Sequence, residues 1–542
     1  MGGEAFETKR MKKYLGVGIA LGVFIVQFML LPHTGMTWDE PLGFFMGRAN
    51  LKFWLTGNRQ YLEDVTNPQL FVDSPIQYVG GAQMYPPFPA LVASATSYIL
   101  AETNQLMDVW DAHHLGEVII STAGVAAAYG LFLEAGLPTL IAAGMTVAYA
   151  LYPTVWDSMR NDVKDIPLVS LIMITMYFFL RSLRAWKEKR QAIAWREGLL
   201  CALALGLSGA TKPTAVVLVP IVVVWLTLAR VGSKPFFIKW LSLLLVAGFV
   251  FFLFWPWLWD RPVEKFVQEW AFFRSVGMNM PVLMLGNLYD AGVNVPAIYP
   301  FVILLVQSPV ELIVLALVGM GWALDELIRR KHMLPVFFVL WFWLGMLRFA
   351  LPGMIIYARV RHFIDVMPAF FVLAGYGVFF FAKKYRVGMV ILALILLHEV
   401  WISVRFFPYE ASYFNFLVGG TRGVAERRLF DVGPSSPMKE AMEFVGQETK
   451  GELTLVYACQ LTHVARFYAA PNVRLTTFPA EARYSIVSNG PSWFDGALIF
   501  GLTKHRVAYR VERSGADLMY VFENTNGRGW NCGRETESNY VY

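Results

Sequence analysis

The chain has 542 residues, 56% of them hydrophobic, 15% aromatic and only 16% charged, with a formal net charge of +6. Soluble domains carry roughly 25% charged residues; here long apolar blocks alternate with short Lys/Arg clusters, the pattern of a polytopic membrane protein. That excludes a soluble enzyme, a disordered chain, a repeat solenoid and a nucleic-acid binder, and the three cysteines exclude a disulfide scaffold and have no metal-ligand spacing.

Runs of about 18 apolar residues predict membrane spans. The first, Tyr14 to Leu31, follows Lys9, Arg10, Lys12 and Lys13. It is too long for a signal-peptide core and lacks a small-residue cleavage site, so it reads as a retained anchor. A long loop, 32–114, comes next and carries Thr37-Trp38-Asp39-Glu40-Pro41. Adjacent carboxylates point apart in either helix or strand, so one of Asp39 and Glu40 can act as a base while the other orients a partner. The competing reading is a solvated loop with Asp39 as a helix cap. Tyr85-Pro86-Pro87-Phe88-Pro89 then opens a short apolar stretch to Leu100, predicted as an interfacial helix. Further spans are predicted near 115–133, 137–153, 166–181, 197–211, 213–229, 240–257, 300–324, 335–352, 364–382 and 387–405, about eleven in all.

Polar residues punctuate these runs. Arg160-Asn161-Asp162-Val163-Lys164-Asp165-Ile166-Pro167 joins two spans. Asp165, with Pro167 behind it, suits a helix cap, which leaves Arg160, Asp162 and Lys164 unaccounted for. Lys212, in Thr211-Lys212-Pro213-Thr214, either neutralises an anion or marks a turn. Trp255-Pro256-Trp257-Leu258-Trp259-Asp260 reads as an aromatic belt opening the loop 257–299. In Tyr357-Ala358-Arg359-Val360-Arg361-His362-Phe363, Arg359 and Arg361 offer fixed paired donors for phosphate, or else snorkel to the interface. His362 alone reads as a structural hydrogen bonder. Beyond Phe407, strand-like runs at Thr454–Ala458, Val473–Phe478, Tyr484–Ser488, Arg506–Val511 and Leu518–Glu523, with a helix start at Ser436-Pro437, predict a small α/β domain.

Lys and Arg crowd the loops near 181–196, 230–239, 329–331 and 383–386. The positive-inside rule therefore puts the N-terminus in the cytoplasm, and an odd number of spans puts 407–542 outside. The expected organisation is a membrane module, 1–406, with outer loops 32–114 and 257–299, followed by an extracytoplasmic α/β domain, 407–542. The spans read as nearly free of charge, and ionisable residues collect at their outer ends. This disfavours a proton relay through the bilayer and favours a site at headgroup depth.

The ordered set of motifs resembles the GT-C membrane glycosyltransferases, specifically bacterial and archaeal relatives of the protein O-mannosyltransferases. The resemblance rests on Trp38-Asp39-Glu40-Pro41, Tyr85-Pro86-Pro87-Phe88-Pro89, Asn161-Asp162-Val163-Lys164-Asp165-Ile166-Pro167, Trp255 to Asp260, Tyr289-Asp290-Ala291-Gly292, Tyr357 with Arg361-His362, and Pro408 to Asn415 followed by Gly419-Gly420. It implies a polyprenyl-phosphate-linked sugar as donor, Asp39 as catalytic base, Glu40 in acceptor binding, and Asp162, Lys164, Arg361 and His362 as donor and phosphate contacts. The tryptophan-tryptophan-aspartate signature of oligosaccharyltransferases is absent, and Phe430-Asp431-Val432-Gly433-Pro434 departs from the family's C-terminal pattern.

The expected function is transfer of a sugar, mannose or another single sugar, from a polyprenyl-phosphate carrier to a hydroxyl on protein, lipid or glycan at the outer face of a cell (inner) membrane. A phosphate leaving group needs cations, for which Arg361, Lys164, Lys212 and Arg359 are the candidates. One base and direct displacement imply inversion. No cofactor is expected; Mg2+ or Mn2+ held by Asp39, Glu40, Asp162 and Asp165 is the less favoured alternative. A transporter or flippase of lipid-linked sugars is the competing class, and a scaffold with a partner-binding outer domain the third. Cys459 and Cys532 are candidates for pairing in an oxidising exterior, with the balance against it.

Overall fold

A backbone in hydrocarbon must pair its own N–H and C=O groups, and apolar runs meet that demand as helices. The computed structural model describes residues 2–64, 68–71, 85–231, 233–357 and 359–524; Ala358, Cys532 and the side chains of Lys9, Arg10, Lys12 and Lys13 lie outside the described set. Among the described residues, seven helices are long and apolar enough to span a bilayer: Tyr14–His33, Val109–Glu134, Asp165–Lys187, Gln191–Gly209, Lys234–Leu253, Arg359–Tyr385 and Gly388–Phe406. Thr139–Leu151, Pro213–Leu228 and Leu334–Ala350 are shorter apolar helices.

The run expected as one span at 300–324 is broken into Tyr299–Gln307 and Val310–Arg330. Pro309 has no N–H to donate and turns Ser308 out of the helical region. The carbonyls left free are taken up by Asn415, whose Nδ2 donates to Leu305 O at 2.6 Å and Ser308 O at 2.8 Å, and whose backbone N–H donates to Val306 O at 2.8 Å. The helix of Val310–Arg330 then packs tightly on Met367–Tyr385. A Cβ at Gly319 would overlap the Leu373 carbonyl, and one at Gly377 the Leu315 carbonyl, the small-residue contact by which membrane helices approach closely.

The spans carry more charge than expected. Asp108 caps the helix Val109–Glu134, its side chain accepting from the N–H groups of Trp110 and Asp111. The helix therefore begins before residue 115 and draws His113, His114 and Glu117 into the bundle, all buried; Glu399 is buried likewise in Gly388–Phe406. Lys239, counted above among loop charges, is buried too, donating to Ser182 Oγ at 2.9 Å and Ala194 O at 2.8 Å beneath the rings of Trp186, Trp195 and Trp240. Trp255 and Trp257 turn inward against Phe53, Leu62 and Leu258 rather than forming an outward belt. The stretch after Tyr85 forms a helix, Phe88–Ser97, that buries Ala90 and Ser94 against the helix Glu40–Thr56 and Ala93 against Gly116 of Val109–Glu134.

An unexpected hairpin, β1 (Pro281–Met284) and β2 (Asn287–Asp290), turns at Leu285 and Gly286, both with positive φ (51° and 82°). The C-terminal region contains β3 (Thr454–Ala458), β4 (Val473–Leu475), β5 (Tyr484–Ser488), β6 (Arg506–Arg513) and β7 (Ala516–Glu523). They form one sheet in the order β4-β3-β5-β7-β6, with β3 parallel to β4 and β5 and β7 antiparallel to β5 and β6. The predicted strand at Val473–Phe478 stops at Leu475. The helix after Ser436-Pro437, Met438–Glu448, buries Met438, Ala441, Met442 and Val445, the spacing of one helical face. Cys459 is disulfide-bonded, which corrects the expectation that it stays unpaired.

A buried polar knot ties the sheet end of the bundle together. Arg160, with no exposed surface, pairs with Glu410 at 3.1 Å and donates to Gln27 Oε1 at 2.8 Å and Thr34 Oγ1 at 3.1 Å.

Candidate active site

The turn 161–165 is shaped by Asp162. Its Oδ1 accepts from the backbone N–H groups of Lys164 at 2.9 Å and Asp165 at 2.8 Å. Asp162 thus satisfies the N–H of Asp165, the first residue of the helix Asp165–Lys187, whose N-cap position falls on Lys164 rather than on Asp165 as expected. Burial, then the charge of Asp165, push the Asp162 carboxyl above its usual range. Freed from capping, Asp165 stays buried and pairs with Lys212, at 2.6 Å, and Arg361, at 3.6 Å.

Asp39 is the N-cap residue of the helix Glu40–Thr56 but makes no side-chain cap bond. Its Oδ2 meets Lys164 Nζ at 3.1 Å and Arg361 Nη2 at 2.9 Å. The outer loop, the 161–165 turn, the Lys212 turn and the segment before the helix Met367–Tyr385 are remote in sequence yet converge in one chain of charges: Lys164, Asp39, Arg361, Asp165, Lys212. Burial raises the Asp39 carboxyl, but Lys164 and Arg361 outweigh it and hold the group well below the usual carboxylate range. Burial disfavours the Lys164 ammonium, and Asp39 outweighs that in turn, keeping it firmly protonated. The network is still open: the side chains of Asp39, Lys164 and Arg361 are 23%, 17% and 30% exposed. Tyr85 roofs it, with Lys164 Nζ 4.5 Å from its ring centre.

Glu40 and Arg359 sit elsewhere, and His362 lies beside the network. Glu40 points into the bundle, fully buried, with Oε1 2.6 Å from His114 Nε2 and Oε2 accepting from Thr37 N–H. Burial raises its carboxyl, opposed by His114 and Thr37. Arg359 donates to Ala411 O at 3.3 Å and lies over the Phe414 ring, away from the Asp39 pair. The His362 ring packs edge-on against Tyr357 at 4.3 Å within electrostatic reach of Lys212, Arg361, Asp165 and Asp39, and its carbonyl accepts from Arg348. His463 and Trp493 of the C-terminal region flank Trp38, with centroids 4.6 and 6.5 Å away. Sequence reasoning missed His114 because its run was assigned to a loop; the Asp108 cap was the available signal. Among the described residues no three His, Cys, Asp or Glu side chains gather to hold a metal ion; Asp39 and Asp165 instead face Lys and Arg.

No protein-family model matches the chain, and no curated protein matches it in sequence. Solved structures do resemble it. ArnT from Cupriavidus metallidurans in the apo state aligns with a TM-score of 0.50 at 14% identity, over 94% of this chain and 97% of that one. The same protein bound to undecaprenyl phosphate aligns with a TM-score of 0.49 at 14% identity, over the same shares. The apo Archaeoglobus fulgidus oligosaccharyltransferase aligns with a TM-score of 0.45 at 11% identity, over 95% of this chain and 75% of that one. At such identities the likeness is one of architecture: this is a multi-pass membrane protein with the GT-C fold, carrying a C-terminal sheet region.

Proposed function

We propose that the chain is a membrane glycosyltransferase that moves one sugar, mannose or another hexose or pentose, from a polyprenyl-phosphate carrier to a hydroxyl on protein, lipid or glycan. The observation that carries this reading is the placement of a part-exposed carboxylate, Asp39, between two cations, Lys164 and Arg361, in a five-group chain with three positive and two negative members. Such a site offers a base and an anion contact side by side. Its fold neighbour ArnT has been solved with undecaprenyl phosphate, a carrier of the proposed class. By the Lys/Arg distribution the N-terminus is cytoplasmic, the module 1–406 lies in the cell membrane, and 407–542 lies outside.

The chemistry follows from the charges. The acceptor oxygen attacks the anomeric carbon as the bond from that carbon to phosphate breaks. The electron pair leaves on polyprenyl phosphate, where Arg361 and Lys164, with Lys212 behind Asp165, stabilise it; no acid is needed. The acceptor proton passes to Asp39. A single displacement inverts the anomeric centre. Asp39 is a weak base while both cations hold it, and a bound phosphate shares those cations, so donor binding strengthens the base. Asp162 supports the turn and touches the donor only through it.

Purified protein in nanodiscs, given polyprenyl-phosphate sugars and candidate acceptors, should form a new glycosidic bond detectable by mass spectrometry, and Asp39→Asn should abolish it. Full activity in Asp39→Asn ends the mechanism, and loss of activity in chelator restored by Mg2+ or Mn2+ replaces its metal-free form. One observation favours the carrier alternative: among the described residues Glu399 lies buried in a span with no hydrogen bond to either carboxylate oxygen, and Glu117, buried likewise, has His113 Nε2 3.8 Å from its Oε1. A carrier would move labelled lipid-linked sugar across vesicles without bond formation, and Asp39→Asn would not stop it.

A further inference from the structure

We infer that Glu40 and His114 form a buried latch that holds Asp39 in its working position, which makes His114 a positioning residue of the site. The inference rests on the reading of Asp39 as the base. Glu40 and Asp39 are neighbours with opposite fates: the first has no exposed surface, the second opens to the site. A buried carboxylate is costly unless its oxygens are bonded. Both Glu40 oxygens are: Oε2 closes the turn by accepting from Thr37 N–H, and Oε1 lies 2.6 Å from His114 Nε2. His114 Nδ1 is buried with no partner among the described residues, so the ring proton belongs on Nε2, and His114 donates to Glu40.

The latch fixes two of the four residues, 37–40, that present Asp39. Thr37, held by Glu40 at its N–H, also donates from Oγ1 to Asn161 O at 3.1 Å, joining the loop to the turn that supplies Lys164. With residues 37 and 40 pinned, the Asp39 backbone between them has little freedom, and its carboxylate is held where Lys164 and Arg361 reach it. Full burial separates Glu40 from the acceptor contact that the family resemblance implies: as placed, it touches the bundle and not the open side of the loop.

The test uses the full-length protein in nanodiscs with His114→Leu, which removes the donor, and His114→Gln, whose amide can donate from about the position of Nε2. His114→Leu should leave the donor KM within about threefold and lower kcat about 10- to 100-fold, because a displaced base costs rate more than binding; His114→Gln should recover most of the loss. A second measurement needs no transfer. If the latch holds Asp39 in its pairs, Asp39→Asn should lower the thermal midpoint in the native background and by less than half as much beside His114→Leu. A chain that transfers no sugar defeats the glycosyltransferase reading and leaves this cycle intact as a test of the latch. Additive effects on the midpoint overturn the latch, as does a loss confined to KM or a His114→Gln no better than His114→Leu. If His114→Leu does not fold, His114→Asn, polar but too short to reach Glu40, replaces it in both measurements.

Discussion

Two charged clusters at the sheet end of the bundle use the same residue types for opposite ends. Around Arg160 every side is filled: Glu410, Gln27 and Thr34 satisfy the guanidinium, and neither charged partner has exposed surface. Around Asp39 the charges are also paired, yet 17–30% of the side chains of Lys164, Asp39 and Arg361 remains accessible, and cations outnumber carboxylates in the five-group chain. A closed pair spends its interaction within the protein and fixes architecture. An open network with a cation to spare keeps part of its interaction for an incoming anion. Exposure and charge balance together, more than the presence of an ion pair, separate scaffold from site.

That contrast can be broken in steps. The largest effect belongs to Asp39→Asn, which should cut kcat by about 10²–10⁴-fold or more while donor binding survives; steady-state transfer kinetics and a binding titration with polyprenyl phosphate check it. Arg160→Leu should act on the other cluster, leaving the Glu410 charge buried and unpaired at a cost of about 3–5 kcal/mol, read as lost folded protein in thermal melts. If instead it lowers transfer in a fully stable chain, the division between the two clusters fails. Lys212→Ala should have a smaller effect, about tenfold in kcat/KM, since Lys212 reaches the site through Asp165. The smallest effect is on pH. The folded Asp39 pKa is depressed, so its stabilising contribution is present above the unfolded value of about 3.9 and is lost only as pH falls through the lower folded value. The acid limb of kcat/KM should therefore lie below pH 4, and Lys164→Gln should move it upward by about one pH unit, seen in a pH–rate profile.

Much of this was legible in residue patterns. The predicted apolar runs each overlap a helix, and β3 and β5 begin and end where alternation said they would. Asp39, Lys164, Asp165, Lys212 and Arg361 stood out as charges at the ends of apolar runs, and they meet in space. What stayed hidden depended on partners distant in sequence. The divergence of Asp39 and Glu40 followed from backbone geometry, but which one turned inward depended on His114, in a stretch taken for loop. Asp162, and not Asp165, accepts the N–H groups at the start of its helix, because two carboxylates stand at one helix start and spacing does not choose between them. The break at Ser308-Pro309 had a visible proline, but its rescue by Asn415 required the chain to return from about a hundred residues away.

The contacts of the loop with the C-terminal region reach further still. The Met36 N–H donates to the Tyr468 hydroxyl at 2.8 Å, and the ring of His463 stands against Trp38, one residue from Asp39. The sheet region is therefore not an interchangeable attachment. A chimera that grafts a different soluble tail onto this membrane bundle would replace two supports of the loop bearing Asp39, and loop and tail must be inherited, or engineered, as a matched pair.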